Sequence, residues 1–466
     1  MELTRFVGMI NRSGLEVKEY QKEGVSWCLA NEQREGIKGG FIADEMGLGK
    51  TIMMIGVMYE NFVTRTLIIV PPILVDQWYL QIARLTGHKS LIYHGSAKKT
   101  TSEEELLEAK VVIATYNGII EKEDGMIHNI KWSRIIFDEA HHLRNKNTNV
   151  YRHAKSLKSN IRWLVSGTPV QNSKQDFYAL CSMIRIPASY YTESSNLREL
   201  ARNYILKRTK KQVGIHIASL HQSKEIVDWR SKKEQAISEE LHSALSFSRV
   251  NKKNIIDPKL VNMFGGYALP LMMSAKQSCV YPKMLLRRLH ELNARGEIGD
   301  YSAYQEGLSQ SSKLDAAVEA IIDRKGNGAG KLVFCHFREE IDEIAGRLTA
   351  AGLNVGSLDG RTNGKKKNEM LTEAHDVLIL QIQTGCEGLN LQEHYSEIYF
   401  ISPHWNPAVE DQAIARCHRI GQKKPVYVHR FQMESFDSDD VPTRTIDKYI
   451  DDVQEVKRIV ASEIIE

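Results

Sequence analysis

The six cysteines, Cys28, Cys181, Cys279, Cys335, Cys386 and Cys417, contain no CxxC spacing. Neither a zinc ribbon nor a RING is encoded, and no structural zinc is expected. Scattered thiols suit a reducing intracellular compartment, where cysteine serves as a small core residue. The sixteen histidines show no metal-ligand spacing either; the pair His141-His142 is their densest grouping. No apolar stretch approaches the roughly 18 residues that cross a bilayer. The N-terminus, Met1-Glu2-Leu3-Thr4-Arg5, has an early acid and no apolar core behind it. A soluble, intracellular protein without a secretory signal or membrane partner is therefore expected. Charge of one sign is also lacking, with 62 basic against 58 acidic residues and a net charge of +4. Any nucleic-acid surface has to come from local clustering rather than from the total.

What is present begins with size. A chain of 466 residues, 26% charged and 42% hydrophobic, predicts two or three globular domains. The most informative string is Asp44-Glu45-Met46-Gly47-Leu48-Gly49-Lys50-Thr51, set between the apolar runs Gly40–Ala43 and Ile52–Ile55. It reads as strand, glycine-containing loop, helix. Such a loop aims backbone N–H groups at phosphates from the positive end of a helix dipole. Lys50 can reach the β- and γ-phosphates of a nucleotide and the Thr51 hydroxyl can ligate Mg²⁺. The pattern GxxxxGK[ST] is met except at its first glycine, where Asp44 stands.

Apolar runs at 41–43, 66–70, 111–114, 134–137 and 163–165 alternate with helix-like stretches, which predicts a parallel α/β sheet. Each run ends in a polar or turn-forming signal, and ligands bind at the carboxyl ends of such strands. Asp138-Glu139-Ala140-His141 occupies one of these ends. Asp138 there can hold Mg²⁺, and Glu139 can orient and deprotonate an attacking water, the division of labour that phosphoryl transfer requires. Ser166-Gly167-Thr168-Pro169-Val170-Gln171-Asn172 follows the next run. Alone it reads as a turn; its hydroxyls could also couple the acidic site to a second lobe.

In this order, DEMGLGKT, DEAH and SGTPVQN resemble the Swi/Snf family of superfamily-two helicases. Tyr20-Gln21-Lys22-Glu23-Gly24-Val25-Ser26-Trp27 is similar to that family's glutamine motif, which implies that Gln21 reads adenine, although Lys18-Glu19 replaces the usual Arg-Pro. Val70-Pro71-Pro72, Asp76-Gln77-Trp78 and Ala114-Thr115-Tyr116 resemble segments that track one DNA strand. From about 190 to 310 the strand-turn rhythm is missing and helix formers and basic residues dominate. Leu206–Lys210 and Lys276–Pro282 resemble family segments there, with Lys276 in place of an arginine. By that resemblance the region forms helical protrusions.

Strand-like runs resume at 331–335, 377–382, 397–401 and 426–429, after Gln310-Ser311-Ser312-Lys313-Leu314. The strongest signal of this half is Asp411–Gln422, with Arg416 and Arg419 three residues apart. On a helix they share a face, from which two guanidinium groups can reach a γ-phosphate. The segment matches the family's last motif. Gln383–Leu391 departs from the family, with Cys386 where a second glycine is usual. Residues 445–466 show an apolar period near 3.6 through Ile446, Tyr449, Ile450, Val453, Val456, Val460 and Ile464. The family uses such a segment to brace its lobes.

The expectation is an α/β protein of two RecA-like parallel-sheet lobes with helical insertions between them and a C-terminal bracing helix. It divides into an ATP-binding lobe at 1–190, a helical region at 191–310 and a C-terminal lobe at 311–466. No Pro- or Ser-rich linker, repeat or appended domain is visible. The resemblance implies a DNA-dependent ATPase translocating on double-stranded DNA with ATP and Mg²⁺, at the nucleus or another site of DNA transactions, with viral or phage origin open. In that scheme residues 44–51 and Gln21 bind nucleotide, Thr51 and Asp138 hold metal, and Lys50, Asp138, Glu139, Arg416 and Arg419 are catalytic. Nucleosomes, RNA polymerase or other DNA-bound proteins are candidate partners. The rivals are a strand-separating DNA or RNA helicase and a catalytically dead DNA-binding scaffold.

Overall fold

The computed structural model describes residues 2–121, 125–168, 173–247, 259–264, 268–362, 370, 373–385, 389–436 and 443–465. Pro169–Asn172 of the SGTPVQN string and Cys386–Gly388 of the departing loop lie outside these residues. The chain forms two compact units, Met1–His216 with Lys457–Glu466, and Ile217–Val456. The division between these units falls at 216/217.

The first unit holds a seven-stranded sheet of β1 (Lys38–Ile42), β2 (Thr66–Val70), β3 (Leu91–Tyr93), β4 (Val111–Thr115), β5 (Lys131–Asp138), β6 (Lys158–Val165) and β7 (Ile205–Leu206). Their order is β3-β4-β2-β5-β6-β1-β7, and every pairing is parallel. A parallel sheet covered on both faces needs strands apolar on both sides. In β2 and β4 every residue is buried. Successive side chains point to opposite faces, so Leu67 and Ile69 enter one core with Ile135 and Phe137. Ile68 and Val70 enter the other with Ile136 and Trp163.

The second unit repeats the plan with β8 (Leu220–Val227), β9 (Gly330–Cys335), β10 (Val355–Leu358), β11 (Val377–Gln381), β12 (Tyr395–Phe400) and β13 (Val426–Met433). Their order is β10-β11-β9-β12-β13-β8, again all parallel. The helical expectation for 191–310 holds for Lys232–Ser243, Ala268–Val280 and Lys283–Ala294. It fails for β7 and for β8, which pairs along its whole length with β13. The terminal helix is Ile446–Ile465. Its Ile446 and Ile450 are fully buried, whereas Val456, expected on the apolar face, is 60% exposed. No helix of the described residues is long and apolar enough to cross a membrane.

Candidate nucleotide site

The strand order builds the first unit's site. β6 lies between β1 and β5, so the loops leaving β1, β5 and β6 are neighbours at one sheet edge. The loop after β1 turns through Gly47 at φ 90° and Gly49 at φ 78° into the helix Lys50–Glu60. Left-handed φ values of this kind favour glycine. At Gly49 a Cβ would lie 2.4 Å from Gln21 Nε2. The Gln21 amide donates to the Leu48 carbonyl at 3.3 Å. Gln21 therefore lies across this loop.

Lys50 Nζ donates to the Asp44 carbonyl at 2.8 Å. Burial pulls its ammonium below the ordinary lysine range, against the opposing pull of Glu139, Asp138 and Asp44. Thr51 follows in the first turn of the helix. A Cβ on Gly167, in the loop after β6, would stand 3.0 Å from Met46 Cγ and 3.4 Å from Lys50 Nζ. The described part of the SGT string therefore reaches the phosphate loop.

Asp138 ends β5 and is buried. Its Oδ2 accepts from the Trp78 indole N–H at 2.7 Å, and its carbonyl accepts from the Tyr116 hydroxyl at 2.7 Å. Burial, then the neighbouring Glu139, raise its carboxyl to about 7, against the Trp78 hydrogen bond and Lys50. Glu139 turns the chain sharply at φ 50°, a left-handed conformation rare for a non-glycine residue. Its N–H donates to Asp138 Oδ1 at 3.0 Å, and its Oε2 lies 3.4 Å from His141 Nδ1. Such strain collects where a structure fixes a functional group.

Two residues of the loop are held by side chains from a distant segment. The Asp44 carboxylate is fully buried and receives the Arg208 guanidinium at 3.1 and 2.6 Å. Glu45 meets Lys210 Nζ at 3.0 Å. Sequence reasoning missed Arg208, Lys210, Trp78 and Tyr116 as members of this site. The only signal available was their position in segments resembling family blocks.

In the second unit, Asn406 caps the helix Pro407–Ile414 through its side-chain oxygen, with Pro407 at the first helical position. The expectation of a helical Arg416–Arg419 face is corrected: the helix ends at Ile414, and both arginines lie in the turns behind it. Cys417 is drawn into the core, and the Arg416 carbonyl accepts from the Leu391 N–H at 3.2 Å, so it leaves the helical ladder. Gln422 holds these turns by donating to the carbonyls of Gln392 and Tyr395 at 2.9 and 3.1 Å. Arg416 Nη1 donates to the Leu389 carbonyl at 3.4 Å, and Arg419 Nη1 to the Asn390 side-chain oxygen. Burial and the Arg416 charge lower the Arg419 guanidinium from its ordinary range. Lys276 is buried and donates to the Pro403 carbonyl at 3.0 Å.

The profile of the SNF2-related domain matches residues 20–312, and that of the helicase conserved C-terminal domain matches 312–421. Similar proteins include zebrafish chromodomain-helicase-DNA-binding protein 8, 27% identical over 90% of this chain and 18% of its own length. The probable global transactivator of Orgyia pseudotsugata multicapsid polyhedrosis virus is 26% identical over 90% of this chain and 87% of that protein. The ATP-dependent DNA helicase DDM1 of Arabidopsis thaliana is 25% identical over 90% and 59%. The chain thus spans under a fifth of the zebrafish relative and most of the viral one. Among solved structures, the Pyrococcus furiosus Hef helicase domain matches with a TM-score of 0.55 at 18% identity, over 90% of this chain and 95% of that one.

Proposed function

Because the chain belongs to the family of SNF2-related domains, with a helicase conserved C-terminal domain following, we propose that it is an ATP-driven translocase on double-stranded DNA that displaces or remodels bound protein. The observation that carries this reading is the gathering of Lys50, Asp138 and Glu139 at neighbouring strand ends. Relatives named as a DNA helicase and as a helicase-DNA-binding protein support the choice of ATP and DNA.

The residues fit a magnesium nucleotide. Gly47 and Gly49 leave the loop backbone bare of side chains, and the buried Asp138 supplies the hard oxygen that Mg²⁺ prefers. Thr51 and Asp138 would hold the metal, which offsets phosphate charge when bound. Gln21 contacts the base, Lys50 binds phosphate, and the loop 44–49 presents the N–H groups that are not already held, as those of Glu45 and Leu48 are. Glu139, fixed by its own backbone turn, takes the proton from the attacking water. Arg416 and Arg419 stabilise charge on the transferred phosphoryl group during turnover. DNA is held mainly by phosphate contacts and without strong sequence preference.

The test is ATP turnover of the purified chain with duplex, single-stranded and no DNA. Duplex should stimulate most; equal turnover with and without DNA overturns the reading. A strand-displacement assay on the same sample separates translocation from unwinding.

A further inference from the structure

The chain leaves the first unit through a segment wired into the phosphate loop. The Ala43 N–H donates to the Leu206 carbonyl at 2.8 Å and the Glu45 N–H to the Arg208 carbonyl at 2.9 Å, continuing the ladder between β1 and β7 past its end. Side chains lock the same register. Arg208 holds Asp44 with two donors, donates to the Tyr20 carbonyl and lies 5.7 Å from the Tyr20 ring centroid. Lys210 grips Glu45 twice, through its main-chain N–H at 2.8 Å and its ammonium at 3.0 Å. Gly24 lies against both Met53 and this arginine: a Cβ there would meet Met53 Sδ at 2.6 Å and Arg208 Nη2 at 2.8 Å. Asp44, where the loop pattern has glycine, thereby gains a role as an anchor.

Beyond Lys210 the chain makes one compact turn, with the Ile215 N–H donating to the Lys210 carbonyl at 2.9 Å and Gly214 at φ 70°. The second unit then begins at Ile217. There the next residue is tied in turn. His418 Nε2 donates to the Ala218 carbonyl at 2.9 Å, and His418 stands between Arg416 and Arg419 in sequence. The Val426 N–H donates to the Ser219 carbonyl at 2.8 Å, opening β13 beside β8. One continuous stretch, 205–219, is therefore gripped at one end by the phosphate loop and at the other by the arginine segment.

We propose that this stretch is a mechanical relay, in which Arg208 and Lys210 are positioning residues of the nucleotide site and the short turn 211–217 couples nucleotide occupancy to the arginine segment. The proposal rests on the ATPase reading above. A phosphate loop that shifts on nucleotide binding carries the exit segment with it, because two ion pairs and two backbone hydrogen bonds resist separation. A short covalent stretch then transmits the shift to the strand and turn that hold His418. Two unlinked anchors would not do this; the distance along the chain has to be short.

Three preparations of the full chain test it, read by affinity for a fluorescent ATP analogue, by duplex-stimulated kcat and by amide hydrogen exchange over 205–219. Arg208→Gln should weaken nucleotide binding roughly tenfold, the size of one charge-assisted contact, and quicken exchange over 205–210. Lys210→Glu should do the same more mildly, and adding Glu45→Lys should restore part of the affinity, since reversing both partners keeps the ion pair but not the main-chain hydrogen bond. This pair is partly exposed at Glu45, so it stays informative if Arg208→Gln unfolds. Inserting four Gly/Ser residues between Gly214 and Ile215 should leave nucleotide affinity unchanged and cut duplex-stimulated kcat about tenfold or more, a partial loss of the roughly 10³–10⁵-fold that an arginine finger supplies. Unchanged kcat after insertion overturns the relay, and absence of rescue by the swapped pair overturns the positioning role. If the unaltered chain neither binds nor hydrolyses ATP, the functional reading itself fails, and the variants are then not compared.

Discussion

The phosphate loop of the first unit and the arginine segment of the second carry charge in opposite ways. Around the phosphate loop, opposite charges are fastened to one another: Asp44 to Arg208, Glu45 to Lys210, with Lys50 in the combined field of Asp138 and Glu139. The acids and bases come from segments up to 165 residues apart, yet the strand order gathers them. In the second unit Arg419 is held by the neutral Asn390 side chain, and the main charge acting on it is the like charge of Arg416. A cation kept on neutral oxygens retains most of its attraction for an anion, whereas a paired cation has largely spent it. The first region is thus fastened in geometry, and the role proposed for the second is to supply charge. Mutations should separate the two.

Glu139→Gln has the largest expected effect. It should leave nucleotide affinity close to normal and abolish turnover, because the amide keeps the shape but cannot accept the proton. Single-turnover hydrolysis at saturating ATP measures this, and substantial residual turnover would move the base elsewhere. Arg419→Ala comes next. If the second region supplies charge, duplex-stimulated kcat should fall by roughly 10²-fold or more, with DNA affinity little changed. Lost DNA affinity with normal kcat at saturating DNA would make Arg419 a backbone contact and dissolve the contrast.

Trp78→Phe probes the geometric side alone. It removes one hydrogen bond to Asp138 and keeps an aromatic ring in the core. kcat should fall about tenfold, the cost of about 1.4 kcal/mol, and more Mg²⁺ should be needed for half-maximal rate. An unchanged Mg²⁺ requirement would show that the indole only fills space.

The smallest effect is one on stability: Asp138→Asn costs turnover through loss of the metal-holding carboxylate, and it also changes the melting of the metal-free chain. The folded carboxyl is raised to about 7, chiefly by burial, above its value in the unfolded chain. Between the two values the unfolded state has lost its proton and the folded state has not, so stability falls as pH rises. The cost is complete above about pH 7 and absent near pH 4. The asparagine variant should therefore melt higher than the parent at pH 8, by about 1–3 kcal/mol of stability, with the gain shrinking towards pH 5. Differential scanning fluorimetry across that range reads it; an equal gain at every pH would put its origin in packing.

What could be read from the residues has a physical pattern. The nine strands foreseen are the interior strands of the two sheets, and the four unforeseen, β3, β7, β8 and β10, are the four edges. An interior parallel strand is buried on both faces and writes itself as an apolar run. An edge strand is paired on one side only, and β8, largely exposed as Leu-His-Gln-Ser-Lys-Glu-Ile-Val, leaves no such trace. The same distinction explains the site. Phosphate-loop chemistry depends on neighbours in sequence, so Gly47, Gly49, Lys50 and Thr51 announce themselves, as do Asp138 and Glu139 at the end of an apolar run.

The sequence by itself therefore determined the parallel α/β class, the order of motifs along the chain and the choice of residues proposed to face nucleotide, because each is encoded in local spacing. Only the tertiary structure decided that Asp44 anchors Arg208, that Trp78 holds Asp138, and that the arginines sit in turns rather than on a helix. Those facts depend on which strands become neighbours and on which carbonyl captures which N–H. Such choices are settled by competition among distant groups for burial and hydrogen bonds, and no short window of residues contains both competitors.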